Sequence, residues 1–234
     1  MLELRKIEAE WRARMHKALK FDGEDDYVEL ENTELVFSNQ TVCFWVKLNE
    51  ITPGQRFIVK RASWSIRLGK EEHTKRYVIL DIYDGSNWHV LYSTEYEIDL
   101  NWHFICAEWS DSGRRLYVDG KLIKSSSTPV TPYNSTYKPC IGRYSPTYPT
   151  SGEFLNGIID EVRIYNRVLS ESEIKYLYQN PFDPIDPEHL VLWLNPAGID
   201  VANGKWWDLS GKGNHGTIHG ATEVSLVKEE VKVK

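Results

Sequence analysis

Apolar and polar positions alternate with a period of two along most of the chain from residue 19 onward, in short runs separated by turn residues. That is the pattern of strands with one buried face. FDGEDDYVEL (21–30) holds two such runs around an Asp22-Gly23 turn. TVCFWVKL (41–48) is apolar on both faces, as a central strand is. RFIVKR (56–61), WSIRLG (64–69), RYVILDIYDG (76–85), WHVLYST (88–94) and HFICAEWS (103–110) come next, broken by Thr52-Pro53-Gly54 and Asp84-Gly85. Asp119-Gly120 lies between Leu116-Tyr117-Val118 and Lys121-Leu122-Ile123, and supplies the positive φ angles of a tight hairpin. Residues 125–139 and 145–154 are polar, Tyr-bearing loops, and residues 155–169 form a long, central strand.

Two segments have the helical period instead. In residues 3–18, Leu4, Ile7, Trp11, Met15 and Ala18 recur at spacings of three and four. This segment is expected to lie against the sheets or to drive oligomerisation. Ser170 and Glu173 form a capping box ahead of Ile174, Leu177 and Tyr178, and Pro181 stops that helix. Many short strands with few helices predict an all-β fold, an antiparallel sandwich or jelly roll.

The chain has 234 residues, 41% of them hydrophobic, enough for one large core. A net charge of −6 argues against non-specific nucleic-acid binding and against attraction to an anionic membrane surface. No apolar run approaches the roughly 20 residues of a membrane span, and the N-terminal residues show no signal-peptide core. Cys43 and Cys106 lie in strand-like runs, and Cys140 opens another. Buried thiols are the favoured reading; a Cys43–Cys106 disulfide requires that the two strands be neighbours.

The segments FDGEDDYVEL (21–30), TVCFWVKL (41–48), NWHFICAEWSDSGRRLYVDGKLI (101–123), IGRY (141–144) and above all NGIIDEVRIYNRVLSESEIKYLY (156–178) resemble the laminin-G-like jelly rolls of the concanavalin-A-like lectin and glucanase superfamily. The resemblance covers residues 19–180. It divides the chain into an N-terminal helix (1–18), a sandwich (19–181), a linker (182–188) and a repeat-like segment (189–234). That last segment holds DLSGKGNHGTI, which in the family commonly precedes the F-D-G strand rather than following the domain. Residues 189–222 therefore either open a second repeat or supply a missing strand to this sandwich or a neighbour's. The second is favoured because it covers a sheet edge. A homo-oligomer is expected if the segment crosses to another chain, or if the N-terminal helix pairs.

The family resemblance also implies one structural calcium ion tying the first strand to the last, held by Asp22 and Asp160 with Gly23 and Asp25 nearby. Calcium takes six to eight hard oxygen ligands, which carboxylates and carbonyls supply. The competing reading is a solvated acidic turn, with Asp160 bonding backbone amides. Some relatives cleave β-glucans with three alternating carboxylates on one strand. Here Glu97 and Asp99 stand two apart, but the third position falls on Asn101 or Trp102, so glycoside hydrolysis is a remote alternative and no catalytic residue is assigned. Trp64, Trp88, Tyr133, Tyr137, Tyr144 and Tyr148 are the candidate platform for a saccharide, read as loop aromatics. The expected function is non-enzymatic recognition of carbohydrate or another extracellular ligand. The alternative is a structural component of a virion, fibre or cell-surface layer. Either places the protein outside the cell, at its surface, or on a virion.

Overall fold

The computed structural model describes residues 17–71, 76–147 and 153–226, which build an antiparallel β-sandwich. One sheet runs in the order β10 (Lys121–Ser126), β9 (Gly113–Val118), β8 (Trp102–Ser110), β3 (Gln40–Leu48), β12 (Asn156–Tyr165), β1 (Lys17–Asp22) and β17 (Thr222–Ser225); β13 (Leu190–Leu194) also pairs with β12. The other runs β14 (Ile199–Asp200), β15 (Lys205–Trp206), β16 (Gly216–His219), β2 (Tyr27–Leu30), β11 (Pro139–Ile141), β4 (Arg56–Lys60), β5 (Trp64–Leu68), β6 (Tyr77–Tyr83) and β7 (Trp88–Glu97). Inward positions of both sheets meet in one core that includes Phe44, Phe57, Trp64, Trp109, Ile159 and Trp206.

The long strand expected at 155–169 is β12, central as its apolar run requires. One of its edges is shared: residues 156–159 pair with β1 and residues 162–165 with β13. Between the halves the β3–β12 register shifts, and Glu161 takes a φ of +53°. The Asp119-Gly120 hairpin joins β9 to β10. The capping box opens α1 (Glu171–Gln179), with the Ser170 side chain accepting from the Glu173 amide and the Glu173 carboxylate accepting from the Ser170 amide.

The helix expected over 3–18 lies outside the described residues except for Lys17 and Ala18, which begin β1. The linker after α1 is tied down: Pro181 O accepts from Arg163, and Asp186 pairs with Arg167. The segment beyond the linker is built into both sheets of the same chain, β13 on β12, β17 on β1 and β16 on β2. Its Leu190, Leu192, Leu194 and Trp206 are buried.

The expectation of free thiols at Cys43 and Cys106 is corrected. β3 and β8 are neighbours in register, Cys43 faces Cys106 with Cα atoms 4.2 Å apart, and the two are bonded as a disulfide. Cys140 remains a buried thiol, and burial pushes its pKa up to about 12.

Candidate functional site

A groove opens on the outward face of the second sheet, where β4 to β7 lie side by side. Alternation creates its chemistry. In WSIRL, Trp64, Ile66 and Leu68 turn into the core, so Ser65 and Arg67 face out. In YVILDIY, Val78, Leu80 and Ile82 turn inward and leave Asp81 facing the groove. Arg56 comes from β4, Trp88 and Val90 from β7, and Tyr144 and Glu153 from the segments flanking the loop after β11. The cavity measures about 420 Å³, within the range of small-ligand sites.

The polar groups are tightly ordered. Arg67 forks onto Asp81 through Nε and Nη2 (2.5 and 3.2 Å) and donates to Leu68 O (2.9 Å). Arg56 donates to Glu153 through Nε and Nη2 (3.1 and 2.9 Å) and to Ser65 Oγ through Nη1 (3.0 Å). Lys70 also pairs with Glu153. Burial draws the Arg56 guanidinium below its usual pKa, against the pull of Glu153 and with the repulsion of Arg67. Burial alone would raise the Glu153 carboxyl, but Lys70 and Arg56 outweigh it and hold it low.

Aromatic rings flank these charges. The Tyr144 ring stacks under Arg56, 4.9 Å from guanidinium carbon to centroid. Trp88 is 47% exposed at the groove wall. It packs on Tyr83 (5.1 Å between centroids), which meets Tyr133 edge-on at 6.2 Å, so a row of rings leads away from the groove. Tyr133 and Tyr137 belong to the 127–138 loop, which is held from beneath. The buried Lys60 ammonium donates to Thr33 O, Ser135 O and Tyr137 O at 2.6, 2.7 and 2.8 Å. Burial lowers its pKa to about 8. From outside, the Arg61 guanidinium covers the Tyr137 ring at 4.3 Å.

Among the aromatic residues singled out from the sequence, the structure gathers Trp88 and Tyr144 at the groove, with Tyr133 at the end of the ring row. Tyr137 sits apart, on the same loop as Tyr133. Trp64 is corrected: it is a strand residue with no exposed surface, packed on Trp109 at 5.5 Å. Tyr148 lies outside the described residues. Arg56, Ser65, Arg67, Lys70, Asp81 and Glu153 escaped the sequence reading. The available signal was a charge at alternate positions inside otherwise apolar strands.

The acidic turn after β1 is separate. Carboxylate oxygens of Asp22, Asp25 and Asp26 lie within 4.8 Å of one another. Asp22 Oδ1 accepts from the Glu24 and Asp25 amides (2.8 and 3.3 Å), and Asp26 Oδ2 from the Asp22 amide (2.9 Å). Asp26 is pushed up by burial and by the charges of Asp22 and Asp25. Asp22 is held low by backbone N–H donors, which overcome the opposing effect of burial. Gly23 makes the turn at φ +86°, so close to Asn156 that a Cβ would approach its side chain to 2.8 Å.

Asp160 does not join this group, which corrects the ligand set expected from the resemblance. The register puts Asp22 opposite Asn156, so Asp160 is four residues, about 13 Å, farther along the strand. It is buried and accepts from the Glu161 amide at 2.7 Å. Asp99 is likewise committed to its own loop, accepting from the Asn101 amide at 2.7 Å and meeting His103 at 3.1 Å.

A laminin-G-like family model, described as the concanavalin A-like lectin/glucanases superfamily, matches residues 22–175. No curated protein matches the sequence. Solved structures share the fold at low identity. A candidate carbohydrate binding protein from Bacteroides ovatus ATCC 8483 superposes with a TM-score of 0.75 at 18% identity, over 91% of this chain and 60% of that one. This chain thus spans less than two thirds of that protein's length. Domain 4 of an extracellular GH43 arabinanase from Geobacillus stearothermophilus, solved with arabinotriose, gives 0.57 at 19% identity, covering 69% and 76%. The CBM40 of a Ruminococcus gnavus IT-sialidase, bound to α2,3-sialyllactose, gives 0.54 at 12%, covering 68% and 96%.

Proposed function

We propose that this chain, which belongs to the concanavalin A-like lectin/glucanases superfamily, is a non-catalytic carbohydrate-recognition module that binds its ligand in the groove over β4 to β7. The half-exposed Trp88 ring beside that groove carries the reading. An aromatic face accepts the apolar face of a sugar ring, while the fixed arginine and carboxylate groups meet its hydroxyls. The same groups argue against hydrolysis. A glycosidase needs one carboxylic acid that keeps its proton and one free carboxylate. Here Asp81 is forked by Arg67, and Glu153 is held ionised by Lys70 and Arg56. The carbohydrate complexes of similar folds support the reading, and the Cys43–Cys106 bond supports an oxidising, extracellular or cell-surface setting.

Trp88→Ala tests it. Saccharide affinity should fall by about 2 kcal/mol, the scale of a central aromatic contact, and stability should change far less. Unchanged binding on a glycan array would sink the proposal.

The calcium reading is retained for the turn alone. Three carboxylates crowded together repel one another, and a divalent cation would relieve that repulsion. Millimolar calcium should raise the melting temperature and chelator should reverse it, with Asp26→Asn abolishing the response. A melting temperature indifferent to calcium leaves a turn held by its own amides.

A further inference from the structure

We propose that the groove selects a saccharide bearing one monoanionic substituent, a carboxylate or a sulfate ester, which Arg56 and Arg67 bind together. This rests on the carbohydrate reading and sharpens it. Arg56 and Arg67 are cross-strand partners, directly opposite each other on β4 and β5. Like charges in that relation destabilise a sheet, and here both residues are more than nine-tenths buried. The neighbouring acids reduce the conflict without removing it. Arg56, Arg67 and Lys70 bring three positive charges, and Asp81 and Glu153 bring two negative ones. Asp81 and Glu153 match the two buried arginines, and the positive charge in excess among these lining residues sits on Lys70, 52% exposed at the groove, where an arriving anion can meet it. A ligand with a single negative charge completes the balance.

The donors also fit. Each guanidinium carries five N–H groups. The bonds to Glu153, Ser65, Asp81 and Leu68 engage each terminal nitrogen once, so each has a second hydrogen to offer. Guanidinium forks suit planar or tetrahedral oxyanions. Trp88, half-exposed on the groove wall, is placed to take the face of the ring that bears the anion.

The test is calorimetric titration of the full chain with matched methyl glycosides of the gluco, galacto and manno series: neutral, uronate and 6-sulfate. An anionic member should bind at least tenfold more tightly than its neutral counterpart, weaken as salt rises, and lose that advantage in Arg67→Gln. Which anion wins identifies the substituent. Lys70→Glu provides a second variant that leaves the core untouched, because its side chain is 52% exposed; it should lower the anionic-to-neutral ratio several-fold. Neutral glycosides binding as tightly as anionic ones, or an unchanged ratio in Lys70→Glu, overturns this inference and leaves carbohydrate recognition standing. If no glycoside of either kind binds, both fall.

Discussion

Leu192→Ala asks whether the segment after the linker belongs to the core or merely rests on it. Leu192 lies on β13 opposite Ile164 of β12, with no exposed surface, and joins the main core cluster. Truncating a fully buried leucine removes its transfer energy and leaves a cavity, together about 2–5 kcal/mol. A loss near 3 kcal/mol lowers the melting temperature by about 6–12 °C for a chain of this size. The matched control is Leu80→Ala, on β6 in the same core and equally buried. Urea denaturation should show both variants with a lower midpoint, an unchanged slope and one cooperative transition. If Leu192→Ala costs less than about 0.5 kcal/mol, the surface-substitution scale, while Leu80→Ala costs several times more, the segment is an appendage and the core is not continuous.

Two more predictions concern buried charge. His103 lies between Asp119 (Nδ1, 3.0 Å) and Asp99 (Nε2, 3.1 Å). Burial would lower its pKa, but the two carboxylates outweigh burial and raise it above the ordinary histidine value of 6.5. The stability it contributes is therefore complete below that value and lost as pH rises through the higher folded pKa. Melting curves should show wild type losing its advantage over His103→Gln across that window, and a constant difference from pH 5 to 9 would refute the clamp. Arg163 is fully buried and donates from Nη2 to Glu161 Oε2 at 2.5 Å. Arg163→Met strands the Glu161 charge and should cost about 3–5 kcal/mol, most of it recovered in Arg163→Met/Glu161→Gln. Equal losses in the single and double variants would mean that packing, not charge, dominates.

The strands and the α1 cap were legible because they are local. Period-two alternation, the Asp119-Gly120 pair and the Ser170/Glu173 box each act within a few residues. Alternation also held the correction for Trp64, since it shares a face with Ile66 and Leu68 and must point inward with them. The groove was not legible because register makes it. Arg56 meets Arg67, and Asp81 meets Ser65, only through ladders between separate runs. Asp160 stands away from Asp22 for the same reason: the ladder between β1 and β12 sets the offset between them, and no local pattern encodes it. The disulfide waited on a neighbour relation between β3 and β8 that no spacing in the chain encodes.

The β1–β17 ladder sets Lys17 directly against Ser225, so β1 begins beside the end of β17. Tension applied between those ends peels the two strands apart instead of sliding one past the other. Each backbone hydrogen bond then bears the load singly and in turn, which is the weak direction of an antiparallel pair. The groove over β4 to β7 lies on the other sheet, off the line of pull. Opening of that pair would leave the strands that shape the groove in place.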